Sequence, residues 1–225
     1  MTTKIGLITY RYPHLKTDQV MHSLLLRGYD LEVFLLPFVP RASRKVMFEH
    51  RPRQSCAVDA VDISARFGVP YSFCKSDEDI SGNCDLYLVL GAGILSPACV
   101  EGKRIINCHP GVIPSSRGLD SFKWALYEMK PIGVTLHYVD EEVDSGEVIA
   151  VVPTPVYSSD TFETLARRHY ENEVRVLSDF EYFLANPSNA FPDAQMGRAR
   201  KRMSLAKEEE LIALIPNYIA RYGGS

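Results

Sequence analysis

The chain lacks the signals of a cross-linked, targeted or metal-bound protein. Its five cysteines, at positions 56, 74, 84, 99 and 108, are odd in number and show no Cys-x-x-Cys spacing. That argues against a disulfide framework or a zinc site, and for a reducing cytoplasm. The six histidines show no paired ligand spacing, so no metal is expected. Met1-Thr2-Thr3-Lys4-Ile5 leads straight into a strand-like run with no cleavable signal segment, and no apolar stretch approaches the ~20 residues of a membrane span. A net charge of −3 offers no global field for nucleic acid or an anionic membrane. The first apolar run ends in Thr9-Tyr10-Arg11-Tyr12-Pro13, which carries neither the glycines of a dinucleotide site nor a P-loop. The chain also has no Gly-x-Ser-x-Gly elbow for a serine hydrolase. A soluble cytoplasmic protein is expected.

What is present suits a globular domain. The 225 residues are 46% hydrophobic and 24% charged, enough to bury a good core. Apolar runs at Lys4 to Thr9, Leu31 to Leu36, Leu86 to Leu90 and Arg104 to Ile106 read as buried strands. Val20 to Arg27 and Val58 to Phe67 read as helices, stopped by Gly28 and by Gly68 with Pro70. This alternation predicts an α/β fold, a Rossmann-like, mostly parallel twisted sheet with helices on both faces. Further on, the pattern predicts a helix over Leu119 to Met129, a strand from Gly133 to Val139, an acidic loop from Asp140 to Gly146 and a strand from Glu147 to Val152. A long helix is expected from Phe162 to about Leu184, capped by Asp160 or Thr161. Ser204 could cap a last helix, broken by Pro216 and ended by Gly223-Gly224.

The chemistry concentrates in Asn107-Cys108-His109-Pro110 and in Asp144, 35 residues after the histidine. In an extended segment, Asn107 and His109 point the same way and Cys108 the other, and Pro110 holds His109 extended. Asn107 also falls at a strand end, where α/β sheets bind ligands. An amide, an imidazole and a carboxylate can together assist acyl transfer to an amine. Taken singly, His109 also fits a structural histidine, Asn107 a turn former and Asp144 a loop carboxylate. Cys108 reads as a small core hydrophobe and His137 as a satisfied histidine or a cavity residue. Gly91-Ala92-Gly93 after a strand is a weak phosphate signal, or else room for a flat ligand against the backbone. The basic cluster Arg41, Arg44, Lys45, His50, Arg51 and Arg53 is either a solvated loop or a phosphate-binding one.

Asn107-Cys-His109-Pro110-Gly-Val-Ile-Pro114, Arg117-Gly118, Gly133-Val-Thr135-Leu-His137 and Val139-Asp-Glu-Glu-Val-Asp144-Ser-Gly146 resemble the formyltransferases that use 10-formyltetrahydrofolate. Leu88-Val-Leu-Gly-Ala-Gly-Ile-Leu-Ser-Pro97 is similar to the strand and turn that line that family's folate pocket. The resemblance implies a catalytic domain over 1–185, with 186–225 as a loop-and-helix extension, and 10-formyltetrahydrofolate as formyl donor without a metal. It implies Asn107, His109 and Asp144 as catalytic residues. Gly91, Ile94, Leu95, Val139, Asp140, Glu141, Val143 and Asp144 would contact the donor. Tyr10, Tyr12, Arg51, Arg53 and His137 are candidates for the acceptor side. Glycinamide ribonucleotide enzymes carry a Gly/Ser-Asn phosphate loop where this chain has Tyr10-Arg11-Tyr12-Pro13, and methionyl-tRNA enzymes carry a further domain. The chain looks most like the sugar N-formyltransferases, which act on nucleotide-linked amino deoxysugars and suggest a homodimer. Formylation of another small amine, such as an amino acid, a carrier-bound aminoacyl group or glycinamide ribonucleotide, is the alternative. Hydrolysis of the donor and a non-catalytic folate-binding module come after it.

Overall fold

The computed structural model describes residues 3–39, 45–80, 83–140 and 146–224. They form two compact units. The first comprises Met1–Arg41, Arg53–Asn107 and Tyr138–Glu147; the second comprises Ala42–Pro52, Cys108–His137 and Val148–Ser225.

The first unit holds β1 (Lys4–Tyr10), β2 (Asp30–Leu36), β3 (Tyr71–Phe73), β4 (Leu86–Val89) and the start of β5 (Ile105–His109). Their order is β3-β2-β1-β4-β5, and every pairing is parallel. β1, β2 and β4 are near-continuous apolar runs because both of their faces are covered. The order in which strands are added reverses between β1 and β4, so the ligand crevice expected of such a sheet opens at the carboxyl ends of those two strands. Helix α1 (Leu15–Leu26) begins earlier than its apolar pattern predicts. Its first turn is polar, yet Thr17 is buried, bonded to Thr9 at 2.5 Å and to His14 Nδ1 at 2.9 Å. Helix α2 (Ala60–Phe67) is capped by the Asp59 carboxylate and ends at Gly68 in the left-handed region. A short helix α3 (Pro97–Val100) follows Ser96, whose hydroxyl caps it.

The second unit holds α4 (Ser121–Tyr127), β6 (Gly133–Tyr138), β7 (Val148–Pro153), α5 (Phe162–Ser178), α6 (Phe180–Ala185), β8 (Ser188–Asn189) and α7 (Leu205–Tyr222). β6 and β7 pair antiparallel, whereas β7 and β8 pair parallel. A mostly parallel α/β fold is therefore what the chain adopts. β5 runs to His109, beyond the expected end at Ile106, so Asn107 and His109 lie within it and Pro110 terminates it. The expected helix from Phe162 divides at Asp179, which lets Phe180 and Phe183 turn into the core. Thr161 and Thr164 form a reciprocal cap at its start. Pro216 does not break α7, contrary to the reading of the sequence. The carbonyl it orphans belongs to Ile212 on an exposed stretch, where water can satisfy it. Leu211 and Tyr218 anchor the helix on both sides of the proline, and Tyr218 Oη donates to the Lys130 carbonyl at 2.8 Å.

One buried ion pair ties α7 into this unit. Lys123 Nζ donates to Glu208 Oε1 at 2.8 Å and to the Phe48 carbonyl at 3.0 Å, and Glu208 Oε2 accepts from the Met47 amide at 2.8 Å. Neither side chain reaches water. Removing one partner leaves the other charge buried without compensation, so Glu208→Ala is expected to cost about 3–5 kcal/mol of stability. Lys123→Met combined with Glu208→Leu should recover most of that loss in urea denaturation.

Candidate active site

Asn107 sits on β5 opposite Val89 of β4, half-buried at the strand's carboxyl end. Within the first unit, the Val139 amide donates to the Ile105 carbonyl at 2.8 Å, which lays the start of the acidic loop beside β5. The Tyr138 amide donates to the Glu147 carbonyl at 2.9 Å and closes the neck of that loop. Asp140 is exposed on one flank. Glu141, Val143 and Asp144 lie outside the described residues, as do Arg41 and Arg44 of the basic cluster. Leu95 and Val139 meet on one apolar cluster with Val89 and Ile105, so these two expected donor contacts come together. Ile94, by contrast, is 78% exposed.

The switch point between β1 and β4 is filled by an aromatic ring. A Cβ on Gly91 would lie 2.8 Å from Tyr10 Cδ2, so only glycine lets the Tyr10 ring settle there. The flat group against this backbone is the protein's own tyrosine. Tyr10 meets Phe38 edge-on at 5.2 Å, and Tyr12 stacks on Phe38 at 4.6 Å. Phe38 was not singled out from the sequence, since nothing in its neighbourhood marks it apart from the strand that precedes it. Arg53 is exposed.

In the second unit, His109 is buried and its Nε2 lies 2.8 Å from the Ser116 carbonyl. A carbonyl only accepts, so Nε2 carries a proton. The turn that follows is held closely. Ser121 Oγ donates to the Pro110 carbonyl at 2.5 Å, and Thr135 Oγ1 donates to the Gly111 carbonyl at 2.7 Å. Thr135 also accepts from the Ile113 amide at 3.0 Å, and the Ser116 amide returns to the Val112 carbonyl at 2.7 Å. A Cβ on Gly111 would approach His109 Nε2 to 2.8 Å and Ser121 Cβ to 2.9 Å, so the turn closes only around glycine. Cys108 is a buried thiol among five free cysteines, consistent with its reading as a core residue. His137 is buried on β6.

Arg51 reaches Glu173 of α5 at 2.5 Å, and its guanidinium lies over the Tyr170 ring. Glu173 is itself buried, so this arginine neutralises a carboxylate of the protein. One turn earlier on α5, His169 stacks on Phe122 and bonds both Thr154 and the Pro110 carbonyl. Burial pushes His169 down to about 4, overriding the opposing pull of Glu173. Burial, with Arg51 and Lys123 nearby, also holds His50 well below the usual histidine range.

These two rings have a consequence for stability. The unfolded chain takes up a proton on each as pH falls through about 6.5, while the folded His169 refuses one until about 4. Stability should therefore fall with pH across that window, by about 3 kcal/mol for His169, and level off below it. His50 adds to the loss in the same direction. Melting temperatures from pH 7.5 down to 4.5 check this. His169→Gln should flatten the slope, and a pH-independent melting temperature would refute it.

Among the described residues, no cluster of three His, Cys, Asp or Glu side chains is placed to hold a metal, and no helix is long and apolar enough to cross a membrane. Residues 85–180 match the formyl transferase family. The chain is 38% identical over 73 residues to a phosphoribosylglycinamide formyltransferase of Bacillus subtilis, covering 32% of this chain and 37% of that protein. It is 30% identical over 132 residues to a phosphoribosylglycinamide formyltransferase of Haemophilus influenzae, covering 56% of this chain and 62% of that one. The chain thus spans less than two thirds of either relative's length. The fold is similar to that of a sugar N-formyltransferase from Shewanella, with a TM-score of 0.54 and 20% identity over 90% of this chain and 75% of that one. The likeness to the formyl transferase family thus rests on residues 85–180, less than half of the chain.

Proposed function

We propose that the protein is an N-formyltransferase that moves the formyl group of 10-formyltetrahydrofolate onto the primary amine of a nucleotide-linked amino deoxysugar. The observation that carries the transfer chemistry is the pairing of Asn107 and His109 on one strand face, with His109 Nε2 committed to the Ser116 carbonyl. A ring that already donates through Nε2 can donate through Nδ1 only as the imidazolium. His109 then stabilises a developing oxyanion while positively charged, next to the amide N–H of Asn107. The neutral acceptor amine adds to the formyl carbon, the tetrahedral intermediate collapses, and the folate nitrogen leaves with a proton. Asp144 supplies the counter-charge to the imidazolium and takes the amine proton, directly or through water. Leu95, Val139 and Asp140 border the donor with Gly91, Ile94, Glu141 and Val143, as the family resemblance implies. Cys108, buried, has no part in this scheme.

The acceptor reading has separate support. Tyr10 and Tyr12 stand where a ribonucleotide enzyme needs a small-residue phosphate loop, and the Tyr10 ring fills the crevice above Gly91. The Shewanella sugar enzyme's fold covers 90% of this chain. Arg53 and His137 are acceptor-side candidates by resemblance, whereas Arg51 is taken up by its pair with Glu173. The same reading gives the protein a reducing compartment and a second copy of itself as partner. A glycinamide ribonucleotide acceptor is the second reading, favoured by the sequence relatives.

Incubation with 10-formyltetrahydrofolate, a panel of amino-sugar nucleotides and glycinamide ribonucleotide, followed by mass, separates these readings. A formyl gain on an amino-sugar nucleotide supports the proposal, and a gain on the ribonucleotide alone selects the second reading. Cofactor loss without acceptor would mean hydrolysis. Asn107→Ala and His109→Ala should each lower kcat by about 10²–10³. Full transfer activity in His109→Ala would remove this mechanism. Arg53→Ala should raise the acceptor KM roughly tenfold while leaving the donor KM alone, as loss of one charged contact does.

A further inference from the structure

We propose that His169 is a positioning residue for the catalytic turn, the last member of a one-directional hydrogen-bond relay that ends on the Pro110 carbonyl, directly after His109. The inference rests on the formyl-transfer reading for its kinetic consequences and on geometry alone for its structural ones.

The direction of each bond follows from what each atom can do. The Pro110 carbonyl only accepts, so His169 Nε2, 3.2 Å away, must carry the proton. In the neutral ring Nδ1 is then an acceptor, and Thr154 Oγ1 donates to it at 2.8 Å. That hydroxyl, having given its proton, accepts from Asn172 Nδ2 at 3.3 Å. The Asn172 side-chain oxygen accepts in turn from Arg175 Nη2 at 2.9 Å. Every donor points the same way, from a half-exposed cation on α5 to a carbonyl beside the catalytic histidine, so each bond polarises the next. Thr154, His169 and Asn172 are all buried, which keeps water from competing for these contacts.

The relay acts on a peptide that is already half held. Ser121 Oγ occupies one lone pair of the Pro110 carbonyl at 2.5 Å, and His169 occupies the other. The next carbonyl, of Gly111, is taken by Thr135. With both carbonyls satisfied, the backbone leaving His109 cannot swing, and Ser116 is kept where it receives the His109 proton. Burial keeps His169 neutral, and a neutral ring with a fixed tautomer is what lets Nε2 donate while Nδ1 accepts. It never touches a substrate in this scheme and works through the backbone at Pro110.

The test compares His169→Phe, which keeps the ring stacked on Phe122 but removes both nitrogens, with His169→Gln, which keeps an N–H near the Nε2 position. Each is measured in the full chain for kcat, for donor and amine-acceptor KM, for melting temperature and for the His109 imidazole signals in ¹⁵N NMR. The Phe variant should lose kcat by roughly ten- to hundredfold with both KM values nearly unchanged, as a small misplacement of a catalytic group does. Its His109 should no longer show a single Nε2-protonated signature. The Gln variant should keep kcat within about fivefold of the parent, since one donor remains. Should the Phe variant fail to fold, Thr154→Val carries the same test, because it removes the proton that fixes the His169 tautomer without changing side-chain shape. A Phe or Val variant with wild-type kcat, a Gln variant as impaired as Phe, or an unchanged His109 signature in the Phe variant would each overturn the proposal. If the parent protein formylates no amine, the functional reading fails, and the NMR comparison still decides whether His169 positions His109.

Discussion

The hydrogen bond from His109 Nε2 to the Ser116 carbonyl is the constraint on which the candidate chemistry depends. It fixes Nε2 as the donating ring nitrogen and requires the chain to double back within seven residues. That reversal is possible because Gly111 lacks a Cβ and because Thr135 and Ser121 satisfy carbonyls that the tight turn would otherwise leave stranded. A buried turn with unpaired carbonyls would be costly; here the Pro110 carbonyl is met from α4 and α5 and the Gly111 carbonyl from β6.

The second unit also contains charges that a core normally excludes. Lys123 with Glu208, and Arg51 with Glu173, are each held by an opposite charge and by backbone or aromatic groups around it. Such pairs contribute little net stability compared with apolar packing, but they specify geometry, because either charge alone would be intolerable. They hold the Met47 to Arg51 segment against α4, α5 and α7. That gives part of the basic cluster an architectural role, and it makes α7 integral to the unit. Lys45 and Arg53 remain exposed.

The first unit follows a simpler logic. Parallel strands with both faces covered must be apolar along their length, so function is confined to their carboxyl ends. Asn107, Gly91 and Tyr10 lie at three such ends, on neighbouring strands β5, β4 and β1. The Tyr10 ring packed against Gly91 puts an aromatic wall at that strand end.

The amino-acid sequence alone determined the alternation of strands and helices, the shared face of Asn107 and His109, and the resemblance of its middle stretch to the formyl transferases. These are properties of local periodicity and of contiguous motifs, so they can be read without knowing what packs against what. Tertiary structure decided the rest. Whether Arg51 meets a ligand or Glu173 depends on a partner 122 residues away, which no spacing reveals. The neutrality of His169 is set by burial, and its donor direction by Thr154 and Pro110, each from a different stretch of chain than the histidine. The continuation of α7 through Pro216 likewise reflects anchors on either side of the proline, where packing outweighed a local propensity that the sequence states correctly.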